Sequence, residues 1–142
     1  MTTHDDLHNM AKVIDLNGLH RGGNNFAQPG LIPRLDISAI AYVIAEHLTP
    51  DRYPAVFFTN DVASVALIES SDRAMTLIRA ISAALDSEPC DTDGVPDYIE
   101  HISNWTATRA PFSSAPPTDS EVIGRIRRAA DHARQTTNPH AA

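Results

Sequence analysis

Cysteine is almost missing from this chain. Cys90 stands alone, which excludes an internal disulfide framework and any cysteine-rich zinc site. Lysine is equally scarce. Lys12 is the only one and every other basic residue is arginine, which reads as GC-rich coding, because the arginines are too scattered for a bidentate anion site. No apolar run approaches the roughly 20 residues that cross a bilayer, so no membrane partner is expected. The opening residues, Met1 to Asp6, are polar and acidic and do not read as a secretory signal. With the lone thiol, these absences point to a reducing cytoplasm. Positive charge is also short: 18 acidic against 11 basic residues leave a net charge of −7, the wrong sign for gripping a polyphosphate backbone.

What is present suffices for one folded unit. The chain has 142 residues, 42% of them hydrophobic, enough for a single core and short for two domains. Residues 1–135 are read as one helical domain and residues 136–142 as a frayed tail. Apolar spacing and capping residues place five or six helices in an irregular all-α bundle.

The first helix takes Thr3 as its N-cap, carries Asp5 and Asp6 in its first turn, and stops at Asn17-Gly18. Leu7, Met10, Ala11 and Ile14 form its inward stripe. Residues 18–35, rich in Gly, Pro and Asn, form a long loop, and long ordered loops in small domains are often functional. Asp36 caps a helix over residues 36–48 whose apolar residues occupy most of its circumference, so it should be the central, most buried one.

The run Ala55-Val56-Phe57-Phe58-Thr59 has strand propensity. It has no partner strand elsewhere, so a helical turn or buried extended segment competes with that reading. If the run lies exposed, it becomes a homodimer interface. Asn60 caps a helix to Ile68. Ser71 opens another to Leu85, with Ala74, Leu77, Ile78, Ile81 and Leu85 inward. Pro96-Asp97 starts a shorter helix carrying Tyr98, Ile99, Ile102 and Trp105. Thr118 and Glu121 form a capping box for the last helix, whose stripe is Val122, Ile123, Ile126, Ala130 and Ala133.

The strongest local signal is acidic. Asp86, Glu88, Asp91, Asp93, Asp97 and Glu100 fall within fifteen residues that hold no Lys or Arg. Asp91, Asp93, Gly94, Asp97 and Glu100 match positions 3, 5, 6, 9 and 12 of the helix-loop-helix calcium pattern. Pro89 occupies the position of the first aspartate, however, and Pro96 that of the usual apolar residue. Asp-Thr-Asp-Gly is also ordinary turn chemistry, so Ca2+ is a minor reading and no cofactor is assigned.

A second candidate is Arg21-Gly22-Gly23-Asn24-Asn25, whose amides can present to a phosphate beside Arg21. It follows a helix rather than a strand and matches no phosphate-loop or dinucleotide fingerprint. His4 and His8 share a helix face but lack the intervening glutamate of the zinc-protease pattern, and His47, His101 and His132 are isolated in sequence. Arg125, Arg127, Arg128 and Arg134 are offset by Asp119, Glu121 and Asp131 to a net +1, so the last helix is not a nucleic-acid face. Ser38, Ser64, Ser82 and Cys90 sit in no nucleophile motif.

The order of four features resembles a known group. Gly18-Leu19-His20-Arg21-Gly22 closes the first helix, and the apolar helix of residues 37–47 follows. Asn104-Trp105-Thr106 and the Thr118-x-x-Glu121-Val122-Ile123 helix start come later. Together they resemble a small family of uncharacterised helical domains found in actinobacteria and their phages. Leu19 stands where that family has tryptophan, Thr106-Ala107 replace Asn-Asp, and about twenty residues around 49–71 look inserted. The resemblance covers about two thirds of the chain, implies a helical fold and lends no catalytic residue.

Three classes of function follow. The first is a non-catalytic interaction or regulatory module, such as an inhibitor of a host or phage enzyme. It would meet another protein through Asp91, Asp93, Asp97 and Glu100, with Tyr98 and Trp105 as aromatic anchors. The second is a small-ligand or Ca2+ binder using the acidic loop or Arg21, Gly22, Gly23 and Asn24. The third is an enzyme whose groups meet only in space, around His47, His101 and a carboxylate.

Overall fold

Helix starts in this protein are written by side chains three residues apart. In the computed structural model, which describes residues 2–137, Thr2 Oγ accepts from the Asp5 amide and Asp5 answers at the Thr2 amide, opening α1, Thr3–Asn17. The cap therefore lies one residue before the expected Thr3. The reciprocal box selects Thr2, because the residue three beyond Thr3 is Asp6, which is buried and engaged elsewhere. Asp36, Asn60, Ser71 and Asp97 each accept an amide of the first turn of α2 (Ile37–Ala45), α3 (Asp61–Glu69), α4 (Asp72–Ala83) and α5 (Tyr98–Ala107). Thr118 and Glu121 form the predicted box at the start of α6, Asp119–Thr137. The expected tail beyond it falls largely on residues 138–142, which lie outside the described residues.

These six helices make the protein all-α. α1 lies along α6 and against α2, while α4 packs on α2, α5 and α6. Ile37, Ile40, Leu77, Ile78, Ile81, Ile102 and Ile126 are fully buried at their junction. α2 is the buried centre: Ile37 to Ala41 are enclosed without a break, as its all-round apolar sequence requires. It ends at Ala45, short of the expected Leu48, in a Schellman turn. There Leu48 N–H reaches Val43 O (2.9 Å), and His47 adopts a left-handed φ of 56°.

The strand propensity of residues 55–59 is overridden. Ala55–Phe58 is a 3₁₀ turn after Pro54, and Phe57 N–H bonds Pro54 O at 3.1 Å. With no strand beside it, the run gains more by turning Phe57 into the core, where Tyr42 packs edge-on at 5.7 Å between ring centroids. The premise of an exposed dimer face there is not met, since Val56 and Phe58 are also half-buried. A second 3₁₀ turn, Pro50–Arg52, precedes it.

Two short antiparallel ladders were not anticipated. β1 (Ala27–Gln28) pairs with β2 (Arg34–Leu35), and Leu19 bridges Leu35, so the 18–35 loop is stitched into an ordered layer. β3 (Asp91–Thr92) pairs with β4 (Val95–Pro96) across Asp93-Gly94, both at left-handed φ. This is the Asp-Gly hairpin turn that the sequence permits. Among the described residues no helix is long and apolar enough to cross a membrane.

Candidate functional site

The 18–35 loop and α5, more than sixty residues apart in sequence, face each other. Gly22 (φ +66°) allows the approach: a Cβ there would lie 3.3 Å from the Ala107 Cβ on α5. Between them opens a cleft of about 420 Å³, lined by Gly22, Gly23, Asn25 and Phe26 from the loop, Asp61 and Val65 from α3, and the α5 face from Asp97 to Ala107. Its carboxylates are Asp36, Asp61, Asp97 and Glu100, and no Lys, Arg or His is among the described lining residues.

Asp36 forms the inner wall. It is 6% exposed and caps α2: Oδ2 accepts from Ser38 N–H at 2.8 Å and from Ser103 Oγ at 2.8 Å. Ser38 Oγ lies 2.8 Å from Ser103 Oγ. Because Ser103 donates to the carboxylate, the Ser38 hydroxyl proton is shared between Ser103 Oγ and the Ile99 carbonyl (3.4 Å). Burial pushes the Asp36 carboxyl up to about 6, against the opposing hydrogen bonds from Ser103 and Ser38 and the charge of His20.

Asp97 joins this cleft to a neighbour. Its Oδ1 accepts the Glu100 amide (3.0 Å), and its Oδ2 accepts Thr92 Oγ (3.1 Å). On the far side of Asp97 and Ile99 lies a second cleft of about 510 Å³, between the β3–β4 hairpin and α4, holding Glu69, Asp72, Asp93, Met75, Tyr98 and one cation, Arg79. The end of the acidic loop and the glycine loop, separate candidates in the sequence, thus border two adjacent clefts that share Asp97 and Ile99.

The remaining candidates are dispersed. Arg21 is tied to the carbonyls of Thr106 (2.8 Å) and Pro117 (2.6 Å) and to Asp119, which docks the connector before α6. Asn24 is exposed, and its carbonyl accepts from His20 Nε2 at 3.3 Å. Asp91 is exposed on β3, and Trp105 is half-buried against the core. Asp86, the first of the loop carboxylates, is held by Arg125, with Nη2 to Oδ2 at 2.7 Å; that guanidinium holds its carboxyl below the ordinary range.

His47 and His101 do not converge on a carboxylate. His101, 6% exposed, has Nδ1 at 2.6 Å from Ser82 Oγ and Nε2 at 2.8 Å from Ser87 Oγ. His47 Nε2 lies 3.4 Å from Arg73 Nη1. Ser82 and Arg73 stand nine residues apart on α4, about 14 Å along a helix, so the two rings belong to opposite ends of it. His4 Nδ1 donates to the Ala130 carbonyl at 2.9 Å and its ring meets His8 edge-on, which fixes α1 against α6. Among the described residues no group of three or more His, Cys, Asp and Glu side chains is placed to hold a metal ion.

The class that fold and site define is an all-α bundle with an acidic cleft beside its central helix. No family model, curated protein or solved structure matches the chain, so the functional reading rests on the geometry above.

Proposed function

We propose that this protein is a non-catalytic recognition module that presents its acidic end, centred on Asp97, to a basic segment of a partner protein. The observation that carries this is the cleft beside Asp36, which has four carboxylates and no described basic residue in its lining. The adjoining cleft past Asp97 adds Glu69, Asp72 and Asp93 against Arg79, the one cation among its described lining residues. A surface of one sign speeds the encounter with an oppositely charged segment and rejects an acidic one. Asp93 and Glu100 are exposed at its rim and Tyr98 is half-buried beside them, so with Asp97 four residues expected to meet a partner border the same surface.

Fluorescence anisotropy with a labelled Arg- and Lys-rich peptide tests this reading, with an acidic peptide of equal length as control. Saturable binding that weakens with salt and is lost in an Asp61→Asn/Asp93→Asn/Glu100→Gln variant is expected. Equal binding of both peptides, or of neither, overturns it.

A second reading puts a small cationic ligand in the same cleft, whose volume falls within the range of small-molecule sites. Thermal melting with a panel of amines and with Ca2+ separates the two. A ligand at 100 times its Kd stabilises by about 2.7 kcal/mol, so stabilisation by a small amine or by Ca2+ without binding of the basic peptide favours this second reading.

A further inference from the structure

Both hydrogen bonds that Asp36 accepts fall on Oδ2, which leaves Oδ1 on a buried side chain at the wall of the cleft. A buried carboxylate is ordinarily matched by a cation; here His20 alone acts on it with positive charge, and no described residue lining the cleft adds another. The walls suit an alkyl stem: Phe26 and Val65 are half-buried on one side and Ala107 on the other, with exposed Asp61 and Glu100 at the mouth.

Building on the proposed function, we infer that this cleft is a pocket for one arginine side chain of the partner, whose guanidinium meets Asp36 Oδ1 while its methylenes lie between Phe26, Val65 and Ala107. Arginine fits better than lysine on two grounds. Its planar fork reaches more than one carboxylate at once, and its weaker hydration lowers the cost of entering a partly enclosed site. The exposed carboxylates attract a basic segment, and the buried one selects the residue that enters.

The experiment is a backbone-amide NMR titration with N-acetyl-arginine-methylamide, alongside the lysine and the neutral citrulline analogues. Saturable shifts at Gly22, Gly23 and Asn104 are expected with arginine, smaller ones with lysine and none with citrulline. Asp36→Asn, which keeps a capping side chain, should weaken arginine binding about tenfold or more, while Asp15→Asn, at an exposed position of α1 outside both clefts, leaves it unchanged. Should Asp36→Asn fail to fold, Asp61→Asn at the mouth serves in its place, with a smaller loss expected. Shifts confined to residues 91–96 overturn the pocket but leave the acidic surface standing. Equal shifts with citrulline overturn the charge recognition, and no shift with arginine or with the basic peptide overturns both.

Discussion

Two aspartates are buried in this molecule, and they are handled in opposite ways. Asp6 on α1 is fully enclosed and receives Arg73 from α4, with Nε and Nη2 both 2.9 Å from its Oδ2. Asp36 is nearly as enclosed but accepts from an amide and a hydroxyl, with the charge of His20 and no guanidinium acting on it. The first carboxylate is paired from within through Oδ2 and locks two helices together, while its Oδ1 is enclosed with no hydrogen-bond partner among the described residues. The second keeps an open side toward a cleft. A buried carboxylate met by an internal guanidinium serves the fold, whereas on the reading proposed above one held by neutral donors beside His20 leaves room for a cation from outside.

The largest expected effect comes from breaking the internal pair. Arg73→Met leaves the Asp6 charge buried beside an apolar side chain and should cost about 3 kcal/mol in urea unfolding at pH 7. If it costs less than the surface bridge below, Asp6 is not a fixed charge and the contrast fails. Asp36→Asn should act the other way. Its folded carboxyl is raised from 3.8 to about 6, so its contribution to stability is present below pH 3.8 and lost as pH rises through 6. At pH 7.5 the amide, which still caps α2, should therefore be more stable than the native residue by on the order of 1 to 2 kcal/mol. At pH 4 that gain should vanish. His20, Asp61, Asp97 and Glu100 border the same carboxylate, so the comparison is made between variants at each pH rather than from one curve.

Smaller effects sharpen the picture at the Asp6 corner and the acidic loop. His47 holds a left-handed φ of 56° next to Arg73, and His47→Gly should stabilise by about 0.5 to 1 kcal/mol. A loss instead would mean that its ring helps place Arg73. Arg125→Gln severs the bridge to an Asp86 side chain that is 84% exposed and should change stability by no more than about 0.5 kcal/mol.

Capping explains how much could be read in advance. Asp36, Asn60, Ser71 and Thr118 were recognisable because a cap is decided within three residues. The inward stripes of α1, α2, α4 and α6 followed from the 3.6-residue period. Residues 55–58 were harder, because propensity favours a strand and only the absence of a neighbour decides otherwise. The cleft was out of reach for a different reason. Asp36 reads locally as a helix cap and nothing more, and its second role depends on Ser103 and Gly22 arriving from 67 residues later and 14 residues earlier. Arg21 was read beside Gly22 for its charge, but the carbonyls it holds belong to residues 106 and 117. A weak signal was present: an aspartate set between Leu35 and Ile37 in an otherwise apolar stretch.

The Asp36 carboxyl can be followed directly by its side-chain carbon resonance as pH is varied, in the free protein and with N-acetyl-arginine-methylamide present. A midpoint of about 6 in the free protein, falling toward the ordinary carboxylate range when arginine is bound, is the predicted result. A free midpoint already near 3.8, or one that arginine does not move, would contradict it.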